Sequence, residues 1–393
     1  MAVKSQARTG GPLRGRRIIE IAAIGPAPFA AMLLADMGAE VIRVDRPEAI
    51  DLGLPGERAP KFEVLQRGRR SVAVDLKSQA GRDVVLRLLA DADALIEGFR
   101  PGVMERLGLS PDICLEANPR LVYGRMTGYG QQGPMANRAG HDINYIALAG
   151  VLHAIGREGQ NPVPPLNLIG DFGGGGMFLA FGLVCALLEA QASGKGQVVD
   201  AAMVDGAAYL NGLMQGLLSQ GTWRDERGVN LLDGGAPWYD TYRTMDGKFV
   251  AVGAIEGRFY QELIDKLGLA GAGLPAQHDR KGWPELRRRL AMVFASRTRE
   301  EWTAHFAGSD ACVTPVLAIG EAPRHPHNAA RGTFIEPDGV LQPAPAPRFS
   351  RTAAAPGAPP RPAGADTREV LESCGFSASE LDALTRDGVI GRR

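Results

Sequence analysis

Cysteine is scarce in this chain of 393 residues, which has four cysteines and no Cys-x-x-Cys pair. Their wide scatter excludes a disulfide framework and the ligand spacings of a zinc site. We therefore predict that they are reduced residues of the protein core, as in a cytoplasmic protein. The four are Cys114, Cys185, Cys312 and Cys374.

An excess of charge of either sign is also missing, since 44 Lys and Arg balance 44 Asp and Glu. This balance argues against a general attraction to nucleic acid or to anionic membranes, so any basic site must be local. The longest apolar run, from Met177 to Leu188, is shorter than the ~20 residues that span a bilayer, and it predicts a buried helix. The apolar stretch before residue 34 is interrupted by Glu20, Gly25 and two prolines, so we expect a mature cytoplasmic protein without a signal peptide.

Strand-like and helix-like segments alternate through the first third of the chain. This alternation predicts an α/β fold with a Rossmann-like parallel sheet, whose ligands bind at the carboxyl ends of the strands. Strands are predicted at 17–22, 40–45, 71–75, 94–97, 121–125 and 195–200, helices at 29–37, 81–90 and 101–116, and a turn at 25–28. The character of the sequence changes near residue 231, so we predict a large domain with connecting helices at 1–229, a smaller α+β domain at 230–320, and an extended return segment with C-terminal helices at 321–393.

The first predicted β-α-β unit ends at Asp45, as a dinucleotide-binding unit would. Its turn has no Gly-x-Gly-x-x-Gly, and Pro26 and Pro28 remove amide donors that a pyrophosphate needs, which disfavours NAD. Cations instead follow three predicted strands. Because the ends of parallel strands converge, these cations favour a local anion site, although each alone is also typical of solvated surface. They are Arg46, Lys77, Arg100 and Arg106.

Three residues are candidates for acid–base chemistry. His141 lies where a loop enters a predicted helix, and imidazole suits proton transfer near neutral pH; His153, inside the same apolar run, is interpreted as structural. Asp171 precedes four glycines, so it either faces a closely approaching ligand or caps a helix. Glu256 ends an apolar strand, where a carboxylate requires a partner. A histidine held by a glutamate, with an aspartate opposite, would supply a base, its orienting group and a second acid.

Four segments of the chain have a distinctive sequence: Gly140-His-Asp-Ile-Asn-Tyr145, the run from Pro164 to Gly174, the run from Gly194 to Gly206, and Gly234-Gly-Ala-Pro237 with Val252-Gly-Ala-Ile-Glu256. These segments closely resemble those of bacterial α-methylacyl-CoA racemases, a branch of the family III CoA-transferase superfamily. The resemblance implies His141 and Asp171 as catalytic acid–base groups, with Glu256 hydrogen-bonded to the histidine. It also implies CoA contacts at Arg46, Val74, Leu76, Lys77, Arg100, Arg106, Gly140, Asp142 and Tyr145. The fold that it implies is an interlocked homodimer, with each site between the large domain of one subunit and the small domain of the other.

The expected function is that of an isomerase of lipid metabolism. It would invert the α-carbon of 2-methylacyl-CoA thioesters through an enolate, by two-base proton transfer. CoA is part of the substrate, and no metal or further cofactor is expected. The main alternative is a family III CoA-transferase that uses Asp171 as a nucleophile, and a second is a CoA-thioester binding protein without turnover. The tail after Asp366 resembles the wider superfamily more than the racemases.

Overall fold

The computed structural model describes residues 10–48 and 59–391. The first nine residues of the segment considered for a signal peptide therefore lie outside the described residues. The chain divides into two compact units. The first comprises Met1–Ala149, Leu166–Leu210 and Gly332–Arg393, and the second comprises Gly150–Pro165 and Asn211–Arg331.

A six-stranded parallel sheet forms the centre of the first unit, in the order β3-β2-β1-β4-β5-β6. Its strands are β1 (Arg17–Ile21), β2 (Glu40–Asp45), β3 (Arg69–Ala73), β4 (Ala94–Glu97), β5 (Val122–Thr127) and β6 (Gln197–Ala202). The central strands are apolar because both faces are covered, and Ile19 of β1 pairs with Ile42 and Leu95 in full burial. The prediction of a parallel α/β sheet is confirmed.

Helices cover both faces of this sheet. Those of the first unit that precede its return segment are α1 (Pro26–Asp36), α2 (Gln79–Leu89), α3 (Val103–Arg106), α4 (Pro111–Ala117), α5 (Asp142–Leu148), a π-helix (Leu168–Met177), α6 (Phe178–Ser193) and α7 (Met203–Leu210). Leu34 of α1 and Leu183 of α6 belong to the core on one face. Leu88 of α2 and Cys114 of α4 belong to the core on the other face.

Two sequence predictions on this sheet were wrong, each for a local reason. The predicted turn at 25–28 is the start of α1, because the φ of proline suits the first position of a helix. The N–H that proline lacks would have no carbonyl partner within the helix at this position. The single helix predicted at 101–116 is interrupted between α3 and α4. Gly108 has a φ of 69° there, and Ser110 caps a new helix that begins at Pro111.

The apolar run from Met177 to Leu188 is helical, but it is not buried throughout as predicted. Phe181 and Leu188 are 70% and 69% exposed, whereas Leu179 and Leu183 are fully buried. The continuous helical stretch Leu168–Ser193 is long and apolar enough to cross a membrane by length and composition, and part of it is buried in the protein. Because α6 packs on β5 and β6, its length and its apolar composition are also explained by its position over the sheet.

The second unit is a smaller α+β assembly. Its elements are α8 (Gly212–Ser219), β7 (Tyr239–Arg243), β8 (Phe249–Gly253), α9 (Gly257–Lys266), α10 (Trp283–Phe294), α11 (Arg299–His305), β9 (Val313–Pro315) and α12 (Pro326–Arg331). Its antiparallel sheet has the order β7-β8-β9, and Asp246 and Gly247 lie in the hairpin connection between β7 and β8. Trp238, Phe294 and Trp302 are central to its own core.

The return segment of the first unit contains β10 (Phe334–Ile335), β11 (Gln342–Pro343), α13 (Thr367–Ser373) and α14 (Ala378–Arg386). The prediction of short helices after Asp366 is therefore confirmed. Short 3-10 helices also occur at Pro60–Phe62, Val64–Gln66, Leu152–Ala154, Arg280–Gly282, Ala322–Arg324 and Pro337–Gly339. All four cysteines are free, but only Cys114 is buried; Cys185 and Cys312 are exposed, so the prediction that all four are core residues was wrong.

Candidate active site

The predicted cations follow neighbouring strands of the parallel sheet. Arg46 follows β2, Lys77 follows β3 and Arg100 follows β4. These strands are adjacent or separated only by β1, so their carboxyl ends lie along the same edge. All three side chains are exposed, as is that of Arg106 on α3. The structure thus gives this edge a set of accessible cations, as phosphate binding requires.

A buried ion-pair network supports the loop between β4 and α3. The Arg125 Nε donates to Glu97 Oε1 at 2.9 Å, and its Nη1 donates to Glu105 Oε1 at 2.7 Å. The Phe99 N–H donates to Glu97 Oε2 at 2.7 Å. Burial raises the pKa of Glu97, while the hydrogen bond from Phe99 and the Arg125 cation oppose the shift. This network, which the sequence interpretation missed, holds the backbone beside Arg100; a glutamate ending an apolar strand was the signal.

Val74 and Leu76 were predicted to contact CoA, and the structure buries both side chains. Val74 also forms an isolated antiparallel bridge with Ile390 of the tail. Any contact of this segment with a ligand would therefore involve its backbone or the exposed Lys77, whose N–H donates to Asp75 Oδ1 at 3.0 Å.

His141 lies at the N-cap of α5 with an extended backbone and an exposed side chain. Its N–H donates to Asn144 Oδ1 at 3.0 Å, which fixes the entry of the chain into the helix. Tyr145, one turn later, is buried, and its hydroxyl donates to the Gly140 carbonyl. Burial raises the pKa of Tyr145 to about 12, so the phenol is neutral at physiological pH. These bonds keep Gly140 and His141 in one defined arrangement.

Asp171 lies within the π-helix, so it does not cap a helix, which was one of the two alternatives that the sequence left open. Its Oδ2 accepts a hydrogen bond from Asn167 Nδ2 at 3.0 Å. Its backbone N–H donates to Asp142 Oδ2 at 2.7 Å. The structure therefore joins the two predicted segments around His141 and Asp171, which are far apart in sequence.

The electrostatic environment of Asp171 favours its protonated form. Burial is the largest cause that raises its pKa; the Asn167 hydrogen bond lowers it, the nearby Asp142 carboxylate raises it, and His141 lowers it. The net direction is upward. An imidazole and a carboxyl group whose pKa is raised by burial thus lie near each other, beside the start of α5.

Glu256 belongs to the second unit, where it is the exposed N-cap residue of α9. It follows β8, which ends at Gly253 and not at residue 256 as predicted. Its hydrogen bond to His141 stays a prediction. His153 is also in the second unit, and its ring contacts the Asp225 carbonyl at 3.3 Å and Arg227 Nη2 at 3.1 Å, in keeping with a structural interpretation.

The first unit is thus an α/β domain with a six-stranded parallel sheet, in which exposed cations follow three strands and the segments of His141 and Asp171 are joined by a hydrogen bond. The chain belongs to CoA-transferase family III, whose family model matches residues 13–367.

Curated relatives and a solved structure agree with this assignment. The chain is 50% identical over 380 residues to the α-methylacyl-CoA racemase of Mus musculus, covering 96% of this chain and 97% of the relative. It is 47% identical over 382 residues to the enzyme of the same name from Homo sapiens, with the same coverage. The crystal structure of a CAIB/BAIF family protein from Brucella suis has a TM-score of 0.80 and 25% identity, covering 93% of this chain and 100% of that one.

Proposed function

We propose that this protein is an isomerase that inverts the α-carbon of 2-methylacyl-CoA thioesters by two-base proton transfer. One observation carries the proposal: the structure joins the segments of His141 and Asp171 through the Asp142 contact, with Asp171 in an environment that raises its pKa. Inversion requires a base on one face of the carbon and a proton donor on the other. The identity to two racemases over almost the whole chain supports the same reaction.

In the proposed mechanism, neutral His141 removes the α-proton while protonated Asp171 delivers a proton to the opposite face, and the roles exchange in the reverse direction. The thioester carbonyl becomes an enolate oxygen that needs a hydrogen-bond donor. The Asp142 N–H is suited to this role, because as the first residue of α5 it has no carbonyl one turn earlier in the helix. The cations Arg46, Lys77, Arg100 and Arg106 would bind the phosphates of CoA, near Gly140 and Tyr145.

The alternative is a CoA-transferase in which the Asp171 carboxylate attacks the thioester. Such a nucleophile must be ionised. The raised pKa of Asp171 acts against ionisation, whereas a proton donor benefits from it. The direction of this shift is therefore the one that a proton donor requires.

Incubation of a single epimer of a 2-methylacyl-CoA in deuterium oxide tests the function. We expect the other epimer to form with one deuterium at the α-carbon, measured by mass spectrometry and chiral chromatography. His141→Ala and Asp171→Asn should each lower the rate of racemisation by about 10²- to 10⁴-fold, the usual contribution of a positioned acid or base. Transfer of CoA to an added free acid, without deuterium at the α-carbon, would instead indicate the transferase.

His153→Ala is the matched control, because it removes an exposed imidazole from the second unit. Its activity should equal that of the unmodified protein. Normal racemisation by His141→Ala would exclude His141 from the reaction. If the unmodified protein binds acyl-CoA but catalyses no exchange at the α-carbon, it is a binding protein and not an enzyme.

We also propose that the protein is a homodimer in which Glu256 orients His141, and that it acts in the cytoplasm. Large apolar side chains exposed on the first unit support a dimer interface, since contiguous apolar surface usually marks an interaction site. The four free cysteines support a reducing compartment.

A further inference from the structure

The side chain of Asp142 makes a contact that its predicted role in binding the thioester does not require. Asp142 is only 5% exposed, and its Oδ2 accepts the Asp171 N–H at 2.7 Å. Its other oxygen, Oδ1, is buried without a hydrogen-bond partner among the residues that the structure describes. A carboxylate that is buried and only partly satisfied is costly, so its position calls for a functional explanation.

The backbone on the other side of this contact is shaped to admit the carboxylate. A Cβ atom on Gly170 would lie 2.6 Å from Asp142 Oδ2 and 2.9 Å from its Cγ. Glycine at position 170 therefore lets the Asp142 carboxylate lie against the peptide that leads into Asp171. The hydrogen bond from the Asp171 N–H to Asp142 therefore fixes the main chain of Asp171, and with it the base of the Asp171 side chain.

Asp142 and Asp171 are also neighbouring acidic groups in a poorly solvated place, where two negative charges are unfavourable together. Among the described residues, α5 presents His141, Asp142 and Tyr145 to Asp171, the π-helix presents Asn167, and the start of α1 presents Gly25. The Tyr145 phenol is neutral and His141 attracts the ionised form of Asp171. Asp142 is thus the charged group of this set that opposes ionisation of Asp171.

On the basis of the proposed racemase function, we propose that the Asp142 side chain is a positioning residue for the proton donor. Its carboxylate holds the Asp171 backbone through Oδ2, and its charge keeps a proton on the Asp171 carboxyl group. His141 and Asp142 are adjacent in sequence but would then serve opposite faces of the α-carbon. His141 exchanges a proton on one face, and Asp142 keeps Asp171, the donor on the other face, protonated.

Asp142→Asn tests this proposal, because it removes the charge but keeps the size, an oxygen acceptor for the Asp171 N–H and the backbone N–H of residue 142. Loss of the neighbouring negative charge should lower the pKa of Asp171. The limb of the kcat/KM–pH profile that reports Asp171 should therefore move to lower pH, by about one unit. The shift should be equal for both epimers, since the ratio of their kcat/KM values is the equilibrium constant.

Asn167→Ala is the matched variant with the opposite sign. It removes the hydrogen bond that stabilises ionised Asp171, so the same limb should move to higher pH. Opposite shifts in two variants that both retain Asp171 would not result from a general loss of structure. If Asp142→Asn does not fold, Asp142→Ser removes the charge with a smaller side chain and an oxygen acceptor.

An unshifted or upward-shifted limb in the folded Asp142 variant would overturn the proposal while leaving racemisation intact. Failure of the unmodified protein to incorporate deuterium at the α-carbon would instead contradict the racemase function itself. The two failures are therefore distinguishable in one set of measurements.

Discussion

Gly25 shows how a single residue without a side chain shapes the site. Its φ and ψ of 72° and −117° are values that residues with a Cβ rarely adopt. A Cβ built at this position would lie 3.3 Å from Asp171 Oδ2. Glycine at position 25 therefore allows the end of β1 to turn into α1 and also leaves space for the Asp171 carboxyl group, the proton donor of the proposed mechanism.

We predict that Gly25→Ala lowers both stability and turnover. The strained backbone should cost about 1–3 kcal/mol of the free energy of unfolding, measured by urea denaturation. The added methyl group should displace the Asp171 carboxyl group, and kcat for racemisation should fall at least ~10-fold, since small misplacements of reacting groups are costly.

Gly15→Ala separates these two effects. Gly15 has a φ of 84°, but no atom lies within 4 Å of an added Cβ. The Gly15→Ala variant should therefore have a lower free energy of unfolding, while the kcat of its folded form equals that of the unmodified protein. Wild-type turnover in Gly25→Ala would show that the position of Asp171 does not depend on the glycine.

At the residue scale, local motifs in the sequence indicated His141 and Asp171 as candidates, but not the contact between Asp142 and Asp171. Asp142 and Asp171 are separated by 29 positions, and no periodicity relates residues at such a distance. Asn167 lies inside the motif from Pro164 to Gly174, yet its hydrogen bond depends on the π-helix, which the sequence did not suggest. Side-chain contacts made by tertiary packing are the part of the site that pattern analysis misses.

At the element scale, the glycine run after Asp171 shows tertiary packing outweighing local propensity. Each glycine in a helix costs about 1 kcal/mol relative to alanine, so propensity alone disfavours a helix here. The run is nevertheless helical, and its neighbours pack too closely for side chains. A Cβ on Gly174 would lie 2.6 Å from Ala207 N, and one on Gly176 would lie 2.6 Å from Phe29 Cδ1. Packing against α7 and α1 thus outweighs the intrinsic preference.

The C-terminal helices have a structural role that the sequence left open. They pair with β3, which is an edge strand of the sheet: the Ser71 N–H donates to Asp366 Oδ2 at 2.9 Å, and the Asp75 N–H donates to the Val389 carbonyl at 2.8 Å. Their apolar side chains complete one face of the core. These are Val370, Leu371, Phe376, Leu381, Val389 and Ile390.

We predict that removal of residues 366–393 prevents stable folding. Six apolar side chains leave the core, each worth about 1.5–3 kcal/mol, and the sum is comparable to the ~5–15 kcal/mol stability of a whole domain. The exposed strand edge should also promote aggregation. Light scattering and circular dichroism of the truncated protein are the measurements.

Leu381→Ala is a milder form of the same change and should cost about 2–5 kcal/mol in urea denaturation, because Leu381 is fully buried. Arg386→Ala, at an exposed site of the same helix, should change the free energy of unfolding by less than ~0.5 kcal/mol. A truncated protein that unfolds at the wild-type urea concentration would contradict this role for the tail.

For the whole molecule, the exposed apolar stripe that runs from Met177, the N-cap residue of α6, along that helix is the feature that most needs a partner. Met177, Phe181, Val184 and Leu188 follow one another at helical spacing, and they are 49%, 70%, 41% and 69% exposed. An apolar stripe of this kind is usually buried against another element. A second copy of the chain is the proposed occupant.

If two chains pass through each other, as the resemblance to family III enzymes implies, they cannot separate without unfolding. We therefore predict a dimer in sedimentation velocity that persists on dilution, without exchange of subunits between two separately purified and differently tagged preparations. Refolding the two preparations together from urea should produce mixed dimers, because interlocking must form while the chains fold. Phe181→Lys should lower the yield of dimer, because it places a charge in the proposed interface. Ile113→Lys is the control and should not lower the yield, because Ile113 lies on α4, over the opposite face of the sheet.

Rapid exchange of native subunits would contradict interlocking, and a monomer at all concentrations would contradict the dimer itself.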